Sequence, residues 1–396
     1  MKGDFSRITF DPSKNFTAVL MQQGRVQLDA DWNEQAAITL WQIRSLGRAI
    51  IGPHGGPDDA FLVVASDNKH LKATKGTYFV DGIACTIAGD RQLSLPDKAT
   101  QNVDYLVYLD VWERVVTYIE ASEIAEPALG TGIDTTLRTQ VNFEISIDKP
   151  RAAQPDPPPD IPTLTAGLKD TAAPKTPCVI SPDSGYRGEG NQLYRVEIHG
   201  VLSGKTMFKW SRENGSVVFP VTSFTGSTVT LASLGRDERF TLEAGDFVEI
   251  EHAGLPRNEV RPLARVKSVQ TDDKTVTLDS IPTGFRAGNG ALLRRWDHAL
   301  TDDEGLFEVI DDKALDLENG LQVTFNSPSG QQGYLVGDYW LIPARTTAGW
   351  KPSSKAQPAQ RSEHGSVPIA SFTLLSDGTI DTLKDLRHTF KPLAQP

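Results

Sequence analysis

Residues 24–51 read GRVQLDADWNEQAAITLWQIRSLGRAII, and this is the one long stretch with helical periodicity in the chain. Apolar residues recur at Ala36, Leu40, Ile43, Leu46 and Ile50, the spacing that lays a single stripe along a helix. Trp32 and Trp41 lie near that stripe and widen it. Asp31, with Glu34 three residues later, predicts an N-cap and a partner reaching back to it, and Gly52-Pro53 with Gly55-Gly56 ends the run. A helix over residues 31–51 spans roughly 30 Å, far more than a turn closing a barrel requires. A stripe of that length needs a surface to lie on. Either the chain's own β domain supplies it or the same helix in neighbouring subunits does, so Trp32, Ala36, Leu40, Trp41, Ile43, Leu46 and Ile50 are the candidate oligomer or docking interface.

The remainder reads as strand. Residues 1–54 hold an extended arm, with Ile8, Phe10 and the 16–21 run, and then the helix. Residues 55–148 form a small β domain: a hairpin turning on Asp81-Gly82, a second pair over 104–113 and 115–121, and the alternating run 139–147. Between 149 and 184 prolines crowd a background of Ala, Asp and Thr, which predicts a semi-rigid spacer. Residues 185–292 carry short strands separated by turns, including an expected hairpin over 208–219 on Asn214-Gly215, and predict a barrel-like module. Residues 293–396 form a second β module closed by a hairpin at Ser376-Asp377-Gly378. The fold class expected is mainly β, short-strand sandwich or barrel modules with one long N-terminal amphipathic helix.

An echo runs through the second half. Gly245-Asp246-Phe247-Val248-Glu249-Ile250 matches Gly337-Asp338-Tyr339-Trp340-Leu341-Ile342, and Thr228-Val229-Thr230-Leu231 matches Thr275-Val276-Thr277-Leu278. The first pair predicts a turn with left-handed Gly and a capping Asp that launches a half-buried strand.

With 51 acidic against 40 basic residues the net charge is -11, which argues against a nucleic-acid or anionic-membrane surface. The start of the chain lacks the apolar run of a signal peptide and no stretch has the length of a membrane span, so synthesis and retention in a cytoplasm are expected. Cys85 and Cys178 are too distant for a metal knuckle and are expected to be buried small hydrophobes.

Candidates for chemistry are few. Gly200 to Thr206 ends like a phosphate loop, but His199 stands where that motif wants Gly and strands follow where a helix is required. The seven histidines are scattered, Asp302-Asp303-Glu304 and Asp311-Asp312 lack calcium-loop spacing, and no nucleophile stands beside a base. Neither a metal nor another cofactor is called for. Glu249 or Glu251 with Asp279 would serve glycoside hydrolysis only at the right separation. Trp210, Trp296, Tyr339, Trp340 and Trp350 would line a sugar-binding face if exposed together, and core if not.

Three segments carry a resemblance: KGDFSRITFDPSKNFTAVLMQQGRVQLDADWNEQ at the start, YLVYLDVWERVVTYIE from Tyr105, and the run from Arg295-Trp296-Asp297-His298 through Gly337-Asp338-Tyr339-Trp340-Leu341-Ile342-Pro343-Ala344-Arg345. They resemble an uncharacterised family encoded beside baseplate genes of contractile phage-tail-like injection systems, and VLMQQGRVQLDADWNE is similar to the opening of phage fibre and baseplate proteins. The resemblance implies a structural or assembly component, not an enzyme, whose partners are other particle subunits and itself. A carbohydrate-binding or carbohydrate-active β protein is the alternative.

Overall fold

Val, Ile, Tyr and Thr alternating with polar residues favour a pleated, half-buried chain, and strands dominate accordingly. In a computed structural model, 46% of the chain is strand and 11% helix, the mainly β class with one long N-terminal helix that the alternation predicts. The structure describes residues 1–5, 9–67, 69–96, 100–129, 134–150, 161–169, 186–235, 237–252, 260–281, 287, 290–298, 305–347, 350–361 and 364–391. Ile8, Cys178, the 302–304 acidic run and most of the proline-rich stretch lie outside them.

Contacts divide the chain into two units, each drawn from separated segments. One comprises Met1–Arg7, Val115–Arg138 and Pro155–Arg361; the other comprises Ile8–Arg114, Thr139–Gln154 and Ser362–Pro396. The five consecutive segments expected from composition therefore do not coincide with the compact units. Strand pairing explains the difference. His364–Leu374 pairs along Val103–Val116, and Thr163–Leu168, a proline-free insert in the expected spacer, lies between Leu321–Asn326 and Gln357–Pro358. Such pairings join residues far apart in sequence and leave no local mark.

In the second of these units, the helix α1 (Asp29–Ile51) accompanies small sheets around a core that includes Phe61, Tyr78, Leu109 and Phe372. Asp81 and Gly82 adopt φ 51° and 76° between Gly76–Val80 and Ile83–Ile87, the two-residue turn expected. The second expected pair is instead one strand of 14 residues, Val103–Val116, because Arg114 is no turn former.

In the other unit, two four-stranded sheets share a core including Trp210, Trp340, Phe208 and Phe325. Beside them stands a closed barrel, in the order Val218–Thr225, Thr228–Leu231, Thr275–Leu278, Leu263–Gln270, Phe247–Glu251, Leu292–Trp296. The two Thr-Val-Thr-Leu segments are barrel neighbours, Thr228 opposite Thr277 and Val229 opposite Val276. The Gly-Asp echo recurs as geometry. Gly245 and Gly337 have φ 105° and 83°, and the carboxylates of Asp246 and Asp338 accept from the Glu243 and Leu335 amides at 2.9 and 3.0 Å.

The hairpin expected over 208–219 is corrected. Asn214-Gly215 is a turn, but Lys205–Ser211 pairs back onto Gln192–Leu202 through Ser203-Gly204, while Val218–Thr225 departs into the barrel. Buried Asn214 fixes that departure by donating to the Gly3 carbonyl at 3.0 Å and accepting from Arg195.

Candidate functional site

α1 starts one turn earlier than its cap signal suggests. Leu28 is the N-cap residue, and the Asp31 carboxylate accepts from the Leu28 amide at 3.4 Å as the third helical residue. Glu34 accepts from the Thr9 hydroxyl instead of reaching back. The helix ends as expected, the Gly52 amide donating to the Arg48 carbonyl at 2.9 Å.

α1 meets its own unit mostly off the apolar stripe, touching it within the stripe's sector only at Gly47. Ala30 and Ile38 are its buried residues, Arg44 pairs with Glu113 at 2.6 Å, and Gly47 lies against Gly82. A Cβ on Gly82 would sit 2.3 Å from the Arg44 carbonyl oxygen, so two glycines admit this close approach. At about 100° per residue, Trp32, Ala36, Leu40, Ile43, Leu46 and Ile50 all lie on one third of the circumference, and every one is exposed. Trp41 is on the opposite side with its ring 6.4 Å from Phe10, and it does not widen the stripe. Exposure runs from 40% at Leu40 to 73% at Trp32. The segment leading into the helix continues the pattern, with Phe16, Leu20, Met21, Val26 and Leu28 exposed. Eleven of the twenty exposed large hydrophobic side chains among the described residues fall within 16–50, a concentration that marks an interaction surface.

A second cluster escaped sequence reasoning. Gln192–Leu202 and Lys205–Ser211 send Tyr194, Val196, Ile198, Phe208 and Trp210 to the two-sheet core, which leaves Arg195, Glu197, His199 and Lys209 on the other face. In the barrel, Val248, Ile250 and Leu293 point inward, leaving Glu249, Glu251, Arg294 and Trp296 outside. These polar faces meet in a buried seam. Lys209 Nζ lies 2.6 Å from Glu249 and 3.5 Å from Glu197, Arg195 Nε 2.6 Å from Glu197, and Arg294 Nη2 2.9 Å from Glu251. Trp296 Nε1 donates to Glu249 at 2.7 Å, and Lys2 reaches Glu251 at 3.2 Å. Glu197, Lys209 and Glu249 are 4%, 2% and 2% exposed. The legible signal was charge of both signs at alternate strand positions, which reads equally well as a solvated face.

Burial by itself would raise the carboxyls of Glu197, Glu249 and Glu251, but Lys2, Arg195, Lys209 and Arg294 hold all three below the usual carboxylate range. Burial, with Lys209 nearby, pushes His199 down to about 4. All three carboxylates are ionised at neutral pH and none is a proton donor of the raised kind that glycoside hydrolysis uses. The seam is built as an interlock between two β modules.

The remaining candidates are dispersed. Trp210, Trp296, Tyr339 and Trp340 are buried and Trp350 packs half-buried beside Tyr186, so these rings form core and not an exposed sugar platform. Asp279 accepts the Arg265 amide in an exposed turn. The phosphate-loop-like segment is the Ser203-Gly204 hairpin. Asp311 binds the Tyr334 hydroxyl and Asp312 the Asn326 amide. Among the described residues no group of three or more His, Cys, Asp or Glu is placed to hold a metal ion, and no helix is long and apolar enough to cross a membrane.

A family model matches residues 1–156 and 158–372, and its description is a family of unknown function (DUF6519). No curated protein and no solved structure matches the chain.

Proposed function

The chain belongs to DUF6519, a family of unknown function, and for it we propose the role of a structural subunit that docks into a larger assembly through residues 16–50. The particle context comes from the resemblance of the chain's opening to proteins encoded with contractile phage-tail-like baseplates; the place is the baseplate or a peripheral attachment. One observation carries the reading: eleven of the twenty exposed large hydrophobics among the described residues sit on one continuous segment, five in the lead-in from Phe16 to Leu28 and five on the exposed stripe of α1, with Trp41 on the opposite side.

Energetics are consistent with a docking element. Complete burial of such a side chain contributes about 1.5–3 kcal/mol. At 40–73% exposure, Trp32, Leu40, Ile43, Leu46 and Ile50 would each add about 1–2 kcal/mol, comparable in sum with the roughly 4–15 kcal/mol that association costs. The stripe alone gives weak binding, and the arm from Phe16 to Leu28 strengthens it.

The test is sedimentation of the particle fraction from cells that make the protein, comparing wild type with Leu40→Gln/Ile43→Gln/Leu46→Gln. The wild-type chain should travel with high-mass particles and the folded variant should stay in the light fraction. Identical sedimentation of both would remove the reading.

A further inference from the structure

Two histidines that are far apart in sequence meet in the unit that carries α1. The rings of His54 and His388 stack at 4.3 Å between centroids and 12° between planes. His54 opens the strand His54–Pro57, and Thr389–Phe390 runs parallel along its edge, with Gly56 opposite Thr389 and Pro57 opposite Phe390. Few backbone bonds hold this two-residue strand. The Gly56 amide donates to the His388 carbonyl at 2.9 Å and the His388 amide to the Tyr78 hydroxyl at 3.2 Å, while Pro57 has no N–H to offer. The preceding residue is anchored separately, Arg387 donating to the Ala60 carbonyl at 2.7 Å and pairing with Asp385 at 2.8 Å. Residues 388–390 therefore form a strap hinged at Arg387.

The stack suits neutral rings. The hydroxyl of buried Tyr78 accepts from the His388 amide, and its own proton has His54 Nδ1 for acceptor at 2.8 Å. A proton on that nitrogen turns the acceptor into a donor and leaves the phenol proton without its partner. A second proton, on His388, stacks two cations. The charged groups around the pair cancel in twos. Asp81 favours a charged His54 but lies 3.4 Å from Arg48 of α1, and Asp385 is paired with Arg387. Asp58 and Lys391, the next charges along the two strands, are exposed. Burial, and after it the neighbouring His388, hold His54 below the ordinary histidine range. The docked strap thus prefers neutral His54, so this contribution is complete above about pH 6.5 and is lost as pH falls below it.

We infer that the stacked pair His54 and His388 is an acid-operated latch: neutral rings hold residues 388–390 on the edge of His54–Pro57, and charged rings release them, opening a strand edge directly after α1. Hydrogen exchange of the full chain, read by mass spectrometry and corrected for intrinsic rates, tests it at pH 8 and pH 5.5. In wild type, protection of peptides covering 54–57 and 388–390 should fall about tenfold or more on acidification, while the long pairing of Val103–Val116 with His364–Leu374 keeps its protection. His388→Phe retains a stacked ring that cannot charge, and His54→Asn retains an acceptor for Tyr78. In each, protection at pH 8 should match wild type and the loss at pH 5.5 should shrink to under about threefold. If one variant has already lost the strap at pH 8, the other decides. An unchanged wild type, equal acid loss in wild type and variants, or a loss spread evenly over the unit each overturns the latch. Release at pH 8 in both variants overturns it as well, since charge would not be the cause.

Discussion

Gly82→Ala tests whether the close backbone contact at Gly82 is what holds α1 against its own unit. Gly82 has φ 76°, where an L side chain costs about 1–2 kcal/mol. Its new Cβ would lie 2.3 Å from the Arg44 carbonyl oxygen and 2.9 Å from the Arg44 Cα, backbone atoms that cannot rotate aside. Overpacking of this sort adds about 1–3 kcal/mol, and the stiffer unfolded chain returns about 0.4–1 kcal/mol. The net loss of about 2–4 kcal/mol should fall on the docking of α1. Native-state hydrogen exchange of the α1 amides reads it directly, with exchange accelerated roughly thirty- to several-hundredfold. Gly89→Ala is the control, since nothing lies within 4 Å of a Cβ there and its φ is not in the left-handed range. Unchanged α1 protection in Gly82→Ala, or equal loss in Gly89→Ala, would refute the close-packed contact.

Three further outcomes follow from the seam and the core. Lys209→Met leaves Glu249 and Glu197 buried beside fewer cations and should destabilise by about 3–5 kcal/mol, seen as a lower urea midpoint by fluorescence, with Trp296 as the reporter. His199, held at about 4 in the fold against an ordinary 6.5, binds its proton more readily when unfolded. Stability should therefore fall as pH drops from 6.5 towards 4, by about 2 kcal/mol at pH 5, and His199→Gln should flatten that limb in pH-dependent urea titrations. The Cys85 thiol, 1% exposed and pushed by burial up to about 12, should resist iodoacetamide at pH 8 until the protein unfolds, as mass spectrometry would show.

What the amino-acid order determined by itself is local. Periodicity placed the long helix and its Gly52 stop, Asp-Gly set the turn at 81–82, and the repeated Gly-Asp pairs gave the same amide-accepting turn twice, because these features depend only on residues within a turn of one another. Tertiary structure decided which face of each element is covered. The α1 stripe looked like the packing face, yet Gly47 and Gly82 let the backbones approach at the stripe's edge while its large side chains stay exposed, and no spacing rule ranks a glycine contact above a row of leucines and isoleucines. Arg195, Glu197, Lys209 and Glu249 alternate with apolar neighbours in a pattern that fits a solvated strand face equally well, and a second β module buries them. Whether a polar face meets water or another sheet is settled by pairings between residues distant in sequence, whose loop-closure cost and register no local window contains.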